Sequence, residues 1–168
     1  LLLITLAGLN GVFLAEDLIL FYFFWEVVLI PVYFLIGLFG KGKDKLRANM
    51  TFFLYTILGS MFMLGGIVYI GFYLKPTSFL LADVQQVTSA VYSTNTTLAL
   101  LFLIAFVIKI PIFPFHTWQP TIYKTSPTPL TVVLSALMAK MGLFAVVNWY
   151  LGMFPTVSGL FKYIMYIA

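Results

Sequence analysis

Three ionisable side chains sit in stretches otherwise too apolar to hold them: Glu26, Lys109 and Lys140. An ionised residue at the centre of a membrane helix costs at least about 2.5–3.5 kcal/mol, so each needs a partner, a wet cavity or a function. Glu26 lies roughly 12 Å into the run that begins at Leu18, and Lys140 roughly 20 Å into the run opened by Pro127, at 1.5 Å per helical residue. At such depth a lysine does not easily reach interfacial water. A carboxylate and two lysines placed this way suit the passage of protons through a low-dielectric barrier. Desolvation disfavours the charged form of a buried lysine, and a nearby carboxylate favours it. Movement of Glu26 towards or away from Lys109 therefore makes that lysine gain or lose its proton. Lys140 has no deep carboxylate in this chain, holds its proton less firmly and passes it onward. His116 exchanges protons near neutral pH and connects the path to water.

Lys109 has an unusual context, running Ile108-Lys109-Ile110-Pro111-Ile112-Phe113-Pro114-Phe115-His116. Proline has no amide hydrogen, so Pro111 and Pro114 release the carbonyls of Val107 and Ile110. A broken helix at membrane depth is tolerated only where protein or water satisfies the freed groups. These carbonyls flank Lys109 and are expected to bind water. Pro31 likewise frees the carbonyl of Val27, beside Glu26.

The elements that must position these residues are membrane helices. Of 168 residues, 62% are hydrophobic and 8% charged, against about a quarter charged in soluble domains. A soluble globule could not hide so much apolar surface. The apolar runs are continuous rather than alternating, which excludes a β-barrel. At about 20 residues per crossing, the chain holds about five spans. The expected fold is an all-α polytopic transmembrane bundle, residues 1–168 forming one transmembrane domain. Its spans are the end of one helix up to Ala15, then Leu18 to Phe39, Met50 to Leu74, Thr96 to Phe115 with a proline break, and Pro127 to about Leu151. A sixth begins at Leu160. Asp17 is expected to cap the second helix and Ser126 the fifth. Residues 75–95 read as a polar loop. Thr56 with Ser60, and Gly59 with Gly66, recur at spacings that let neighbouring backbones come close. The start at Leu1 and the end inside an apolar run suggest an internal stretch of a longer membrane polypeptide.

The net charge of +4 speaks of topology rather than of nucleic acid. Lys41, Lys43, Lys45 and Arg47 place their loop on the cytoplasmic or matrix side, and two crossings later the 116–126 loop returns there with Lys124. The turn at Glu16 and Asp17, the 75–95 segment and the 152–159 loop fall on the opposite side. With no cysteine and one histidine, the chain cannot bind thiolate-held clusters or build a His-rich metal site. No cleavable signal is visible. Plainer readings stay open. Glu26 with Lys109 also reads as an assembly ion pair, and Lys140 as paired with a carboxylate from outside this chain. His116 also reads as a hydrogen-bonded interfacial histidine. Trp25, Trp118 and Trp149 read as interface or packing residues, and Lys124 as a solvated loop charge.

Several motifs follow one another in a familiar order. They are Phe23-Phe24-Trp25-Glu26, Leu29-Ile30-Pro31, Tyr33-Phe34-Leu35-Ile36-Gly37, and Phe52-Phe53-Leu54-Tyr55-Thr56 with Gly59-Ser60. Then come Lys109-Ile110-Pro111, Phe115-His116-Thr117-Trp118, Ser126-Pro127-Thr128 and Lys140-Met141-Gly142. Nearly the whole chain resembles the antiporter-like chain M (mitochondrial subunit 4) family of respiratory complex I, NADH:quinone oxidoreductase. The resemblance implies two inverted five-helix repeats in the full subunit, each with a broken helix, of which this stretch is the first. It implies that Glu26 and Lys109 are the coupled pair, Lys140 the central proton carrier and His116 part of the internal hydrophilic path. It further implies a proton-translocating subunit with no cofactor of its own, NADH, FMN, iron–sulfur clusters and quinone belonging to partner subunits. The expected partners are other membrane subunits, especially neighbouring antiporter-like ones, and the lipid bilayer. The expected location is the bacterial plasma membrane or the mitochondrial inner membrane. A related cation/proton antiporter or membrane-bound hydrogenase subunit is the alternative, and a passive membrane scaffold a third reading. The chain departs from the family pattern after Trp118, where Gln119-Pro120-Thr121-Ile122-Tyr123 lacks the usual acidic residue and second histidine.

Overall fold

A computed structural model of the chain describes residues 1–90 and 95–155, and these are helical apart from turns and one isolated bridge. Helix α1 spans Leu2–Leu14 and α2 spans Leu18–Phe39. A third helix, α3, runs Lys45–Leu74, its last turn widened to a π-helix. Next come α4 (Leu81–Ala90), α5 (Asn95–Lys109) and α6 (Trp118–Thr125). The last, α7, spans Thr128–Met153 and contains two π-helical turns, Leu134–Met138 and Val146–Tyr150. Three of these, α2, α3 and α7, are long and apolar enough to cross a membrane, while α1 and α5 are shorter apolar helices. The sixth span expected from Leu160 lies outside the described residues.

Each long helix is apolar nearly all round, as membrane helices are, so packing rather than patterning decides which face turns inward. Close approach depends on small residues. On α3, Gly66 presses against the ring of Phe102 on α5, and a Cβ there would come within 2.6 Å of it. Two turns further along the same contact, Gly59 meets Ala105 and Ile108. The pair of glycines singled out in the sequence thus forms the seat for α5. Aromatic rings fill the centre: Phe21, Trp25, Phe106, Trp149 and Tyr150 are all buried and in contact.

The ends sort by charge. The amide of Lys41 donates to the carbonyl of Thr125 (2.7 Å), joining the two basic loops at one end. At the other end Leu18 donates to Phe79 (2.9 Å) and Leu81 to Glu16 (2.8 Å), so the acidic turn pairs with the segment before α4. This is the grouping of loops that the charge distribution predicts.

Two expectations are corrected. The stretch read as a polar loop contains α4, because Val84 and Thr88, one turn apart, are both fully buried, and the Ser78 hydroxyl donates to Asp83 (2.6 Å) at its start. Ser126 does not cap α7. It ends α6 instead, its hydroxyl has no hydrogen-bond partner among the described residues, and the Pro127 carbonyl takes the amides of Leu130 and Thr131. Asp17 does cap α2, its carboxylate accepting from the amides of Ile19 and Leu20.

Candidate functional site

Helix α5 stops at Lys109, as Pro111 demands. The freed carbonyls do not all wait for water. That of Val107 accepts from the amide of Ile112 (3.1 Å), one residue beyond the α-helical partner position. The carbonyl of Ile108, which Ile112 thereby gives up, accepts from the indole Nε1 of Trp118 (3.1 Å). The break is therefore closed by protein groups at these two carbonyls, which corrects the expectation of hydration at Val107. Trp118 is buried and packs at a tilt against Phe52 (5.2 Å between ring centres), so it clamps the broken end to α3.

This clamp fixes Lys109, which is 4% exposed. Its ammonium stands 5.2 Å from the ring centre of Trp25 on α2, where the negative face of an aromatic ring attracts a cation. Trp25 precedes Glu26 directly, so the same turn of α2 presents Lys109 with an indole face and a carboxylate. Glu26 acts on Lys109 electrostatically, yet no ion pair within 4.0 Å forms among the described residues. The two expected partners are brought together but kept out of contact. Tyr22, one turn before Glu26, also feels that carboxylate and reaches towards Ser60 of α3. Neither Tyr22 nor the role of Trp25 was legible as part of the site. The available signals were only the four-residue spacing of Tyr22 from Glu26 and the adjacency of Trp25.

Lys140 is placed differently. Gly142 on α7 meets the broken end of α5, where a Cβ would come within 2.6 Å of Ile110 and 3.5 Å of the Lys109 Cβ. Two residues earlier on a helix is about 200° around it, and Lys140 is accordingly exposed on the outer face of the bundle. The structure does not bring Lys140 to Glu26 and Lys109. Within one turn of it lies the π-helical stretch Leu134–Met138, a wider turn that leaves backbone groups less tightly held and often occurs at functional sites.

His116 lies in the turn between α5 and α6, half-buried and stacked on Phe113 (5.8 Å). Its Nδ1 is buried and has no hydrogen-bond partner among the described residues. The next residue, Thr117, shares a hydrogen bond with Tyr55 (2.9 Å) and lines the groove at the basic end, which puts His116 at that mouth. Among the described residues, no three His, Cys, Asp or Glu side chains converge as metal ligands would.

Residues 15–168 match the model of a family described as NADH:quinone oxidoreductase/Mrp antiporter, transmembrane. The chain is 39% identical over 160 residues to NADH-quinone oxidoreductase subunit M of Rickettsia conorii, covering 94% of this chain and 32% of that protein. It superposes on a chain of respiratory complex I from Thermus thermophilus with a TM-score of 0.82 and 32% identity, covering 95% of this chain and 35% of the other. A chain of the Mrp complex from a Dietzia species gives a TM-score of 0.80 and 27% identity, over 91% and 29%. The chain spans about a third of the length of the curated relatives it matches.

Proposed function

This chain belongs to the NADH:quinone oxidoreductase/Mrp antiporter transmembrane family, and from that membership and the geometry of its charged core we propose that it is one antiporter-like repeat of a proton-translocating subunit of an NADH:quinone oxidoreductase. It crosses the membrane about five times, with the basic end on the cytoplasmic or matrix side. The location is a bacterial plasma membrane or a mitochondrial inner membrane. NADH, FMN, iron–sulfur clusters and quinone belong to partner subunits, and this chain contributes the proton route alone.

One observation carries the reading: a lysine 4% exposed at the end of a broken helix, with a carboxylate within electrostatic reach but not in contact. A permanent ion pair would only fix helix register. A separated pair is different, because a small displacement of α2 or α5 changes the field at Lys109 steeply in a low-dielectric interior. When Glu26 approaches, Lys109 binds a proton. When Glu26 withdraws, desolvation expels it. His116, at the mouth, is the group through which Lys109 exchanges with water. Lys140, on the outer face, is the group that receives the proton and carries it towards the rest of the subunit.

In the intact complex, Lys109→Met should lower proton translocation per electron by at least about tenfold, in keeping with loss of an acid–base group. Electron transfer from NADH to an artificial acceptor should remain. Full translocation with Lys109→Met would overturn the reading. The similarity to a chain of an Mrp complex favours a second reading, a cation/proton antiporter subunit. A requirement for sodium or potassium in proton translocation by the complex in sealed vesicles, with no NADH-dependent partner co-purifying, would select it.

A further inference from the structure

The run of basic residues between α2 and α3 orients a membrane chain without needing any ligand. The tertiary structure adds features that topology does not require. The loop folds back onto the end of α6 through the Lys41–Thr125 backbone bond, and a cavity of about 720 Å³ opens between them. That volume is within the range of about 300–1,000 Å³ found for small-ligand sites. Lys41, Lys43, Arg47 and Lys124 line it, so cations from the α2–α3 loop, the first turn of α3 and the last turn of α6 converge there, against the single carboxylate of Asp44. Asp44 also stands at the N-terminus of α3 without making a side-chain cap bond. The positive end of a long helix therefore adds to the field of the four cations.

Depth narrows the ligand. The cavity lies where α2 ends at Phe39 and α3 begins at Lys45, which is the level of the lipid headgroups if these helices span the bilayer. Flanking the basic residues in the chain, Phe39, Leu46 and Met50 are exposed apolar side chains. A soluble anion has no use for them, whereas acyl chains do. We propose that this cavity binds the phosphate headgroup of an anionic membrane lipid, with the acyl chains lying along the start of α3. None of Glu26, Lys109, Lys140 and His116 lines it, although Thr117, next to His116, does.

The test uses the intact complex in nanodiscs, with a photoactivatable phosphatidylglycerol and mapping of the crosslinked peptides. Crosslinks are expected within 46–50, and phosphatidylcholine carrying the same photoactivatable group should give none. Each interfacial cation contributes about fivefold to anionic-lipid affinity, so Lys41→Gln, Arg47→Gln and Lys124→Gln together should raise the lipid fraction needed on the order of a hundredfold. Lys124→Gln alone should raise it about fivefold, which keeps the test usable if the triple variant does not assemble. Lys75→Gln, at the other end, should change nothing. Equal labelling by phosphatidylcholine, or an unchanged yield in both the single and triple variants, would overturn the proposal. Loss of labelling on adding millimolar inorganic phosphate would also overturn it, in favour of a site for free anions.

Discussion

Lys109 and Lys140 are the same residue type, each alone in an apolar helix, yet their surroundings are opposite. Lys109 is enclosed by α2 and α5, faces the indole of Trp25 and feels the carboxylate of Glu26. Lys140 is exposed on the outer face of α7, two residues from the glycine that packs against the Lys109 Cβ. The contrast teaches that helix packing, not residue type, decides which lysine gains partners among the described residues. On the proposed route, the inner lysine holds the proton conditionally and the outer one offers it an exit.

The sharpest break of that comparison is Lys140→Ala. It should reduce proton translocation by about tenfold or more, as Lys109→Met does, while electron transfer to an artificial acceptor stays nearly intact. Unchanged pumping would remove Lys140 from the route and leave Glu26 and Lys109 acting alone. A smaller effect is expected at Trp25. Trp25→Leu should destabilise the subunit by about 2–4 kcal/mol, through lost volume and a lost cation–π contact, and Trp25→Phe should recover much of that. Thermal unfolding of the solubilised complex measures both. Equal losses would mean that the ring only fills space. Smallest is Trp118→Phe, which keeps the ring but strips the Ile108 carbonyl of its donor, at about 1–3 kcal/mol. If it instead leaves the melting temperature untouched, the clamp on the broken helix is not indole-dependent.

Much of this was readable from residue types. Three charges in an apolar chain mark themselves, because the bilayer penalises each one regardless of the fold. Pro111 marks the end of α5, since a missing amide breaks a helix wherever it occurs. Gly59 and Gly66 mark the face that receives α5. The failures share a cause too. Ser126 looked like a cap because Ser before a Pro-led helix usually is one. In the fold, the end of α6 claims that residue first. Polarity hides helix α4, because Val84 and Thr88 are its fully buried positions among the described residues, with Leu81 packed partly against the core. Trp118 could be placed at an interface but not paired with Ile108, ten residues back across a turn whose shape no local rule gives.

The amino-acid sequence by itself determined that this is a membrane helix bundle, which end carries the positive charge, where a helix breaks, and which charged residues stand within apolar runs. Those properties follow from the solvent and from local backbone chemistry, and neither depends on neighbours. Only the tertiary structure decided that Glu26 and Lys109 interact without touching, that Trp25 faces the ammonium, and that Lys140 turns outward. Helices this uniformly apolar carry little directional information around their circumference, so which face meets which is settled by small residues, aromatic packing and closure of the broken backbone.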